Sequence, residues 1–195
     1  MKQLVLASNN PGKLREIGAL LAAFEIDLIP QASLGIAEAE EPHDTFLANA
    51  LAKARHASRA SGLPALADDS GLCVDALGGA PGVHSAYYAG REGSREQRDA
   101  RNNRKLLASL GDERKAHYAC VMALVRSAGD PAPLIAEGLW HGEIARAPLG
   151  ASGFGYDPLF LLPERGLTAA ELPAQEKNRI SHRGIAAARL LELLQ

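Results

Sequence analysis

The chain reads as an α/β protein built on an extended, mixed central sheet, and three features of its pattern predict that class. A short apolar strand, Gln3–Ala7, is followed by a helix-period segment and a second short strand, Ile26–Pro30, which is a βαβ-type opening. The stretch "HYACVMALVRS" is apolar on both alternating faces, as a strand covered on both sides must be. "GDPAP" then reads as a turn, with Leu134–Ile144 paired back from it, so the sheet cannot be parallel throughout.

The remaining elements follow from local pattern. Leu14, Ile17, Leu20, Leu21 and Phe24 recur at three and four residues, predicting an amphipathic helix from Lys13 to Phe24. Asp44 is placed to cap a long helix from Thr45 to Ser61, which Gly62 ends. "LPALADDSG" reads as a short apolar strand that stops at two aspartates. "LGGAPGVHSAYYAG" carries glycine and proline at turn spacing and reads as loop. Ser94 and Gln97 form a capping box ahead of a polar helix that stops at Gly111. "LGASGFGYDPLF" is a Gly-rich loop, and the last helix runs from His182 to Leu194. No repeat or long linker interrupts the chain, so residues 1–195 are expected to form a single domain.

Bulk properties narrow the function. The 195 residues can bury a substantial core, and 47% apolar with 23% charged residues is ordinary for a globular chain. A net charge of −2 argues against broad electrostatic capture of nucleic acid or an anionic membrane, so any anion site must be local. Cys73 and Cys120 form no CxxC pair and have no metal-ligand spacing, which suits a reducing compartment. The N-terminal apolar stretch falls short of the roughly 7–15 residues of a signal-peptide core. No segment approaches the roughly 20 apolar residues of a membrane span. A cytoplasmic location is therefore expected. Neither an HExxH pair nor a GxSxG elbow is present, so zinc and serine-hydrolase chemistry have no support.

Four stretches carry candidate chemistry. "LASNNPGKLREI" passes from strand to helix through Gly12 and Lys13, where helix dipole and lysine together favour phosphate; it lacks the Walker A pattern, and a plain turn is the alternative. In "ADDSG", Asp68 and Asp69 offer oxygen ligands of the kind Mg²⁺ takes, or an Asx-turn; adjacent strand residues point to opposite faces, so one of the two faces any given site. "SGFGYDPLF" can offer the Phe154 ring to a nucleobase or simply bury its aromatics in a turn. "EKNRISHRG" gathers Lys177, Arg179, His182 and Arg183 ahead of the last helix; cations are disfavoured at a helix N-terminus, which invites a ligand, and Ser181 as a simple N-cap with the basic residues solvated is the alternative. A solvated acidic connection is the plain reading of Glu38–Glu41, and nothing local singles out Lys53 on its helix.

Taken in order, "LASNNPGK", "LANALAKARHA", "ADDSGL", "GGAPG", "ASGFGYDP" and "EKNRISHRG" resemble the inosine/xanthosine triphosphate pyrophosphatase family over nearly the whole chain. The resemblance implies a long central mixed sheet flanked by helices, two lobes with the substrate in a cleft between them, and a homodimer. It implies hydrolysis of dITP, ITP, XTP or dXTP to the monophosphate and pyrophosphate, with Mg²⁺ as cofactor. By position, Ser8, Asn9, Asn10, Pro11, Gly12 and Lys13 would form the phosphate loop, with Lys53 a further phosphate contact. Glu41 and Asp69 would hold Mg²⁺, Asp69 also acting as proton acceptor, although the adjacent Glu40 competes with Glu41 for the metal. Ser70 would touch the substrate, and Phe154, Gly155, Tyr156, Asp157, Lys177, His182 and Arg183 would enclose the base. A non-catalytic nucleotide sensor would keep the loop and pocket without needing both carboxylates.

Overall fold

Residues 3–22 and 26–195 are described by the computed structural model. Seven strands form one sheet in the order β2-β1-β3-β4-β5-β6-β7. They are β1 Gln3–Leu6, β2 Asp27–Pro30, β3 Ala65–Val74, β4 Lys115–Val125, β5 Leu134–Ile144, β6 Phe160–Leu162 and β7 Leu167–Thr168. β1 pairs in parallel with β2 and β3, whereas β6 runs antiparallel to β5 and β7, so the sheet is mixed as expected. Five α-helices are described: α1 Pro11–Leu21, α2 Phe46–Ser61, α3 Arg95–Ala108, α4 Ala174–Ile180 and α5 His182–Leu193. None is long and apolar enough to cross a membrane.

The chain divides into two compact units. The first takes the residues through Asp69, Cys120–Gly138 and His182–Gln195; the second takes Ser70–Ala119 and Leu139–Ser181. In the first unit, strand alternation sorts the core into two layers. Leu4, Leu6 and Leu66 pack with Ile17 and Leu21 of α1 and with Ala186 and Leu190 of α5. Val5, Ala7, Ala65 and Ala67 point the other way and pack with Ala50, Ala54 and Ala57 of α2. Alanine at those helix positions keeps the facing side chains small. The second unit is built on Tyr118, Trp140 and Phe160, with the Phe160 ring 4.6 Å from Tyr118 and 5.0 Å from Trp140.

The stretch "LGGAPGVHSAYYAG", expected as loop, holds a 3₁₀ helix at Gly82–Tyr87, and α3 stops at Ala108 rather than Gly111. Three further expectations change. β3 does not stop at the aspartates; it runs through Asp68 and Asp69 to Val74. Thr45, not Asp44, caps α2, its hydroxyl accepting from the Ala48 N–H at 3.2 Å, so the helix proper begins at Phe46. α1 begins two residues early, at Pro11, because Asn10 supplies its cap and proline suits the first helical position. Its expected last turn through Phe24 lies outside the described residues.

α5 approaches β5 closely. A Cβ on Gly138 would stand 2.0 Å from the His182 carbonyl oxygen and 2.7 Å from the Ala186 nitrogen. Gly138→Ala is therefore expected to push the first turn of α5 away from β5 and to destabilise the protein by about 1–3 kcal/mol, the usual range for overpacking. Urea denaturation of the variant measures it; an unchanged midpoint would mean the helix shifts freely.

Candidate active site

In the first unit, two ion-pair groups flank β3, one on each face. Asp68 has the parity of Leu66 and faces α1 and α5. Its Oδ2 lies 2.9 Å from Lys13 Nζ and 3.3 Å from Arg183 Nε, while Arg183 also pairs with Glu16 of α1. Burial alone would push the Asp68 carboxyl up, but Lys13, Arg183 and Lys53 outweigh it and hold its pKa below the ordinary range. Burial likewise works against the Arg183 charge, and Glu16 with Asp68 outweighs that, leaving the guanidinium firmly ionised.

Asp69 has the parity of Ala67 and faces α2. Lys53 Nζ lies 2.8 Å from its Oδ1 and 2.7 Å from Glu41 Oε1, so one ammonium joins both carboxylates. Asn49 Nδ2 donates to the other oxygen, Asp69 Oδ2, at 3.3 Å. Burial raises the Asp69 pKa, and the opposing pull of Lys53 and Lys13 does not cancel it. Burial also works against the Lys53 charge, but Asp69, Glu41 and Asp68 together raise its pKa, so it stays an ammonium. Adjacent aspartates thus have pKa values moved in opposite directions by the two faces of one strand.

The loop between β1 and α1 is ordered from within. Asn10 Oδ1 accepts from the Gly12 N–H at 2.9 Å and the Lys13 N–H at 3.3 Å, and Ser8 Oγ accepts from the Asn10 N–H at 3.2 Å. Asn9 Oδ1 accepts from the buried Gln31 at 3.1 Å. The Gly12 and Lys13 amides at the start of α1 are therefore capped by Asn10, and Lys13 carries the charge at this end of the helix.

The second unit orders the aromatic loop. Asp157 is its centre: Oδ2 accepts from the Phe154 N–H at 2.9 Å and from Lys177 Nζ at 2.6 Å. Gly153 sits at φ +79°, and a Cβ there would stand 2.0 Å from that carboxylate, so the turn requires glycine. α3 grips the next residue but one from both sides, Asp99 accepting from the Gly155 N–H and Asn103 donating to the Gly155 carbonyl, each at 3.0 Å. The Phe154 ring has Lys177 Nζ 5.3 Å and the Arg95 guanidinium 5.7 Å from its centroid. The Tyr156 ring belongs to the core, its hydroxyl donating to the Ser85 carbonyl at 2.9 Å.

The structure thus brings Lys13, Glu41, Lys53, Asp69, His182 and Arg183 into the first unit, and Ser70, Phe154–Asp157 and Lys177 into the second. Lys177 lies within α4, a helix the sequence pattern does not announce, and His182 and Arg183 open α5. Glu16, Asn49, Asp99 and Asn103 are given no role by the sequence reading, although Asn49 lies within the family-like stretch "LANALAKARHA". For two of them a signal exists: Glu16 lies three residues from Lys13, and Asn49 four from Lys53, the spacings that share a helix face.

The donor chemistry fits a hard divalent cation. Glu41 and Asp69 already converge on one positive centre, and both offer only oxygen. Among the described residues no three or more His, Cys, Asp or Glu side chains cluster to hold a metal. A two-carboxylate set is what Mg²⁺ takes when phosphate oxygens and water complete its shell.

Residues 4–193 match the Ham1 family. A dITP/XTP pyrophosphatase of Bordetella pertussis is 63% identical, the match covering 100% of this chain and 92% of that protein. One from Ralstonia nicotianae is 61% identical, covering 100% of this chain and 98% of that protein. Among solved structures, a HAM1 protein from Coxiella burnetii is 50% identical and superposes with a TM-score of 0.90, covering 100% of this chain and 98% of that one.

Proposed function

This chain belongs to the Ham1 family, and from that premise we propose that it is a dITP/XTP pyrophosphatase: it hydrolyses dITP, ITP, XTP and dXTP to the monophosphate and pyrophosphate. Such an activity clears these nucleotides before they enter nucleic acid. The observation that carries the reading is the joint hold of Lys53 on Glu41 and Asp69, at 2.7 and 2.8 Å. A protein that only bound nucleotide would have no need of two carboxylates held together on one ammonium, one of them kept basic by burial.

In the proposed reaction, Asp69 takes a proton from the water that attacks the α-phosphorus. The new bond is water oxygen to α-phosphorus; the bond that breaks joins that phosphorus to the α–β bridging oxygen, and pyrophosphate leaves. A raised carboxyl pKa brings Asp69 nearer the range in which a general base is effective. Lys13 and Lys53 stabilise the charge that gathers on the departing pyrophosphate. The Gly12 and Lys13 amides reach the same anion only in exchange for their Asn10 cap. Glu41 and Asp69 would hold Mg²⁺, which when bound neutralises charge on the phosphate oxygens.

At the other end of the substrate, Phe154 stacks on the base, and Lys177 and His182 surround it, with Ser70 a further contact; Arg183 joins them only in exchange for its pairing with Asp68, whose Oδ2 it shares with Lys13. Hypoxanthine and xanthine carry an acceptor at position 6, which suits these donors. Adenine presents a donor there, and a site left with unpaired donors can reject it by factors of about 10⁴, whereas guanine shares the acceptor and must be excluded by its 2-amino group. In this reading the whole chain acts as one catalytic domain in the cytoplasm; the homodimer, and the cleft between two lobes that would hold the substrate, rest on the family resemblance.

Product identification with Mg²⁺ tests the reading, using dITP, XTP, dGTP and dATP in parallel. The expected result is monophosphate plus pyrophosphate from dITP and XTP, with dGTP and dATP nearly untouched. Diphosphate plus orthophosphate would move the attack to the γ-phosphate and overturn the mechanism. Binding without turnover would make the protein a sensor.

A further inference from the structure

We infer that Asn49 is a positioning residue, fixing the Asp69 carboxylate and the loop that carries Glu41 in one arrangement. The inference rests on the proposed roles of those two carboxylates. Asn49 is 2% exposed, near the start of α2, on a helix whose other buried residues are Ala50, Ala54, Ala57 and Ser58. Alanine would serve the helix better and the core equally well. What alanine lacks is the side-chain amide, and the amide is almost fully used. Oδ1 accepts from the His43 N–H at 3.1 Å; Nδ2 donates to the His43 carbonyl at 3.1 Å and to Asp69 Oδ2 at 3.3 Å.

These contacts dictate the amide's orientation. Flipped, its oxygen would face a carbonyl and a carboxylate, and its nitrogen would face an N–H. Two consequences follow. Asp69 is held at both oxygens, by Lys53 on Oδ1 and Asn49 on Oδ2, so the carboxylate cannot turn about its Cβ–Cγ bond without breaking one. His43 lies two residues after Glu41, and a two-point bond to its backbone ties that exposed, irregular stretch to a rigid helix. Asn49 and Lys53, one turn apart, thereby link the carrier of one carboxylate to the other. A catalytic group loses much of its effect when displaced by about 1 Å, which is what such a clamp prevents.

The test compares Asn49→Ala, Asn49→Asp and Asp69→Asn with the wild type. Asn49→Asp keeps the size and the acceptor for the His43 N–H but removes both donations, so it carries the test even where alanine unfolds the chain. In folded protein at saturating metal and XTP, kcat is expected to fall about 10- to 100-fold in both Asn49 variants, the worth of a hydrogen bond to a charged group. KM is expected to stay within about threefold of wild type, because the hydrogen bonds of Asn49 go to His43 and Asp69. In metal-free protein, exchange of the His43 amide is expected to accelerate in Asn49→Ala. A purely structural role would lower the melting temperature and leave kcat of the folded enzyme alone. Wild-type kcat in both Asn49 variants, or unchanged His43 exchange, overturns the inference. An inactive Asp69→Asn beside fully active Asn49 variants removes this inference only; a fully active Asp69→Asn removes the site reading beneath it.

Discussion

Asp69→Asn is expected to lower kcat for XTP by about 10²–10⁴-fold, the range over which a general base contributes, while leaving the metal-free protein as stable as the wild type or more so. The two halves of that result have one cause. Asparagine matches the shape of the side chain but accepts no proton and offers Lys53 no charge. Burial raises the Asp69 pKa, so the folded protein favours the neutral form more than the unfolded chain does. Keeping Asp69 ionised at neutral pH therefore costs stability, and that cost grows as pH rises through the unfolded-state value toward the folded-state value. A neutral substitute removes it, and Lys53, which loses the Asp69 charge, keeps its pairing with Glu41 at 2.7 Å. Turnover assays and thermal melts without added divalent metal read the two halves separately. Lost stability alongside lost activity would mean that the Lys53 pairing outweighs burial.

Asp68→Asn should do the reverse. This carboxylate is buried, but Lys13 and Arg183 hold its pKa below the ordinary value, so its charge stabilises the fold. Neutralising it leaves two cations facing an amide, with Glu16 still paired to Arg183. Removing one member of a buried ion pair costs about 3–5 kcal/mol, and a loss of that size is expected. The sign of the pH dependence follows from the same shift. A depressed carboxyl pKa gives stabilisation that is fully present above the unfolded-state value and is lost as pH falls through the folded-state value. Denaturation from neutral pH down into the acid range should therefore show the wild type losing stability toward acid, with part of that loss missing in Asp68→Asn. Equal stability of the two proteins at neutral pH would contradict the assignment. Neighbours in sequence thus carry opposite signs, because β3 presents one to the helices α1 and α5 and the other to α2.

That contrast marks where the sequence is legible and where it is not. That only one of Asp68 and Asp69 faces a given site follows from the twofold repeat of a strand alone, and the two do face opposite ways. The length of β3 is hidden for an equally physical reason. Two aspartates followed by Ser-Gly read as a break, since aspartate disfavours strands and glycine ends them. Lys13, Lys53, Asn49 and Arg183 compensate those carboxylates, and Arg183 lies 115 residues from Asp68 in the chain. No local pattern announces such a partner. The long elements β4, β5, α2, α3 and α5 carry enough periods to be read. β6, β7 and α4 have three, two and seven residues, too few for a period to declare itself. Motif types are readable in the same way: the glycines of the Phe154 loop and the lysine beside Gly12 stand out. Their supports, Asp99 and Asn103 on Gly155 or Asn49 on Asp69, are ordinary polar residues until the fold brings them near.

Asp69 serving a water that attacks the α-phosphorus is the step on which every other proposed role depends. Hydrolysis of XTP in ¹⁸O-enriched water, with mass spectrometry of both products after a single turnover, tests it most directly. Attack at the α-phosphorus leaves one ¹⁸O in the monophosphate and none in the pyrophosphate. Label in the pyrophosphate would mean attack at the β-phosphorus, and would contradict the roles of Asp69 and of the two lysines.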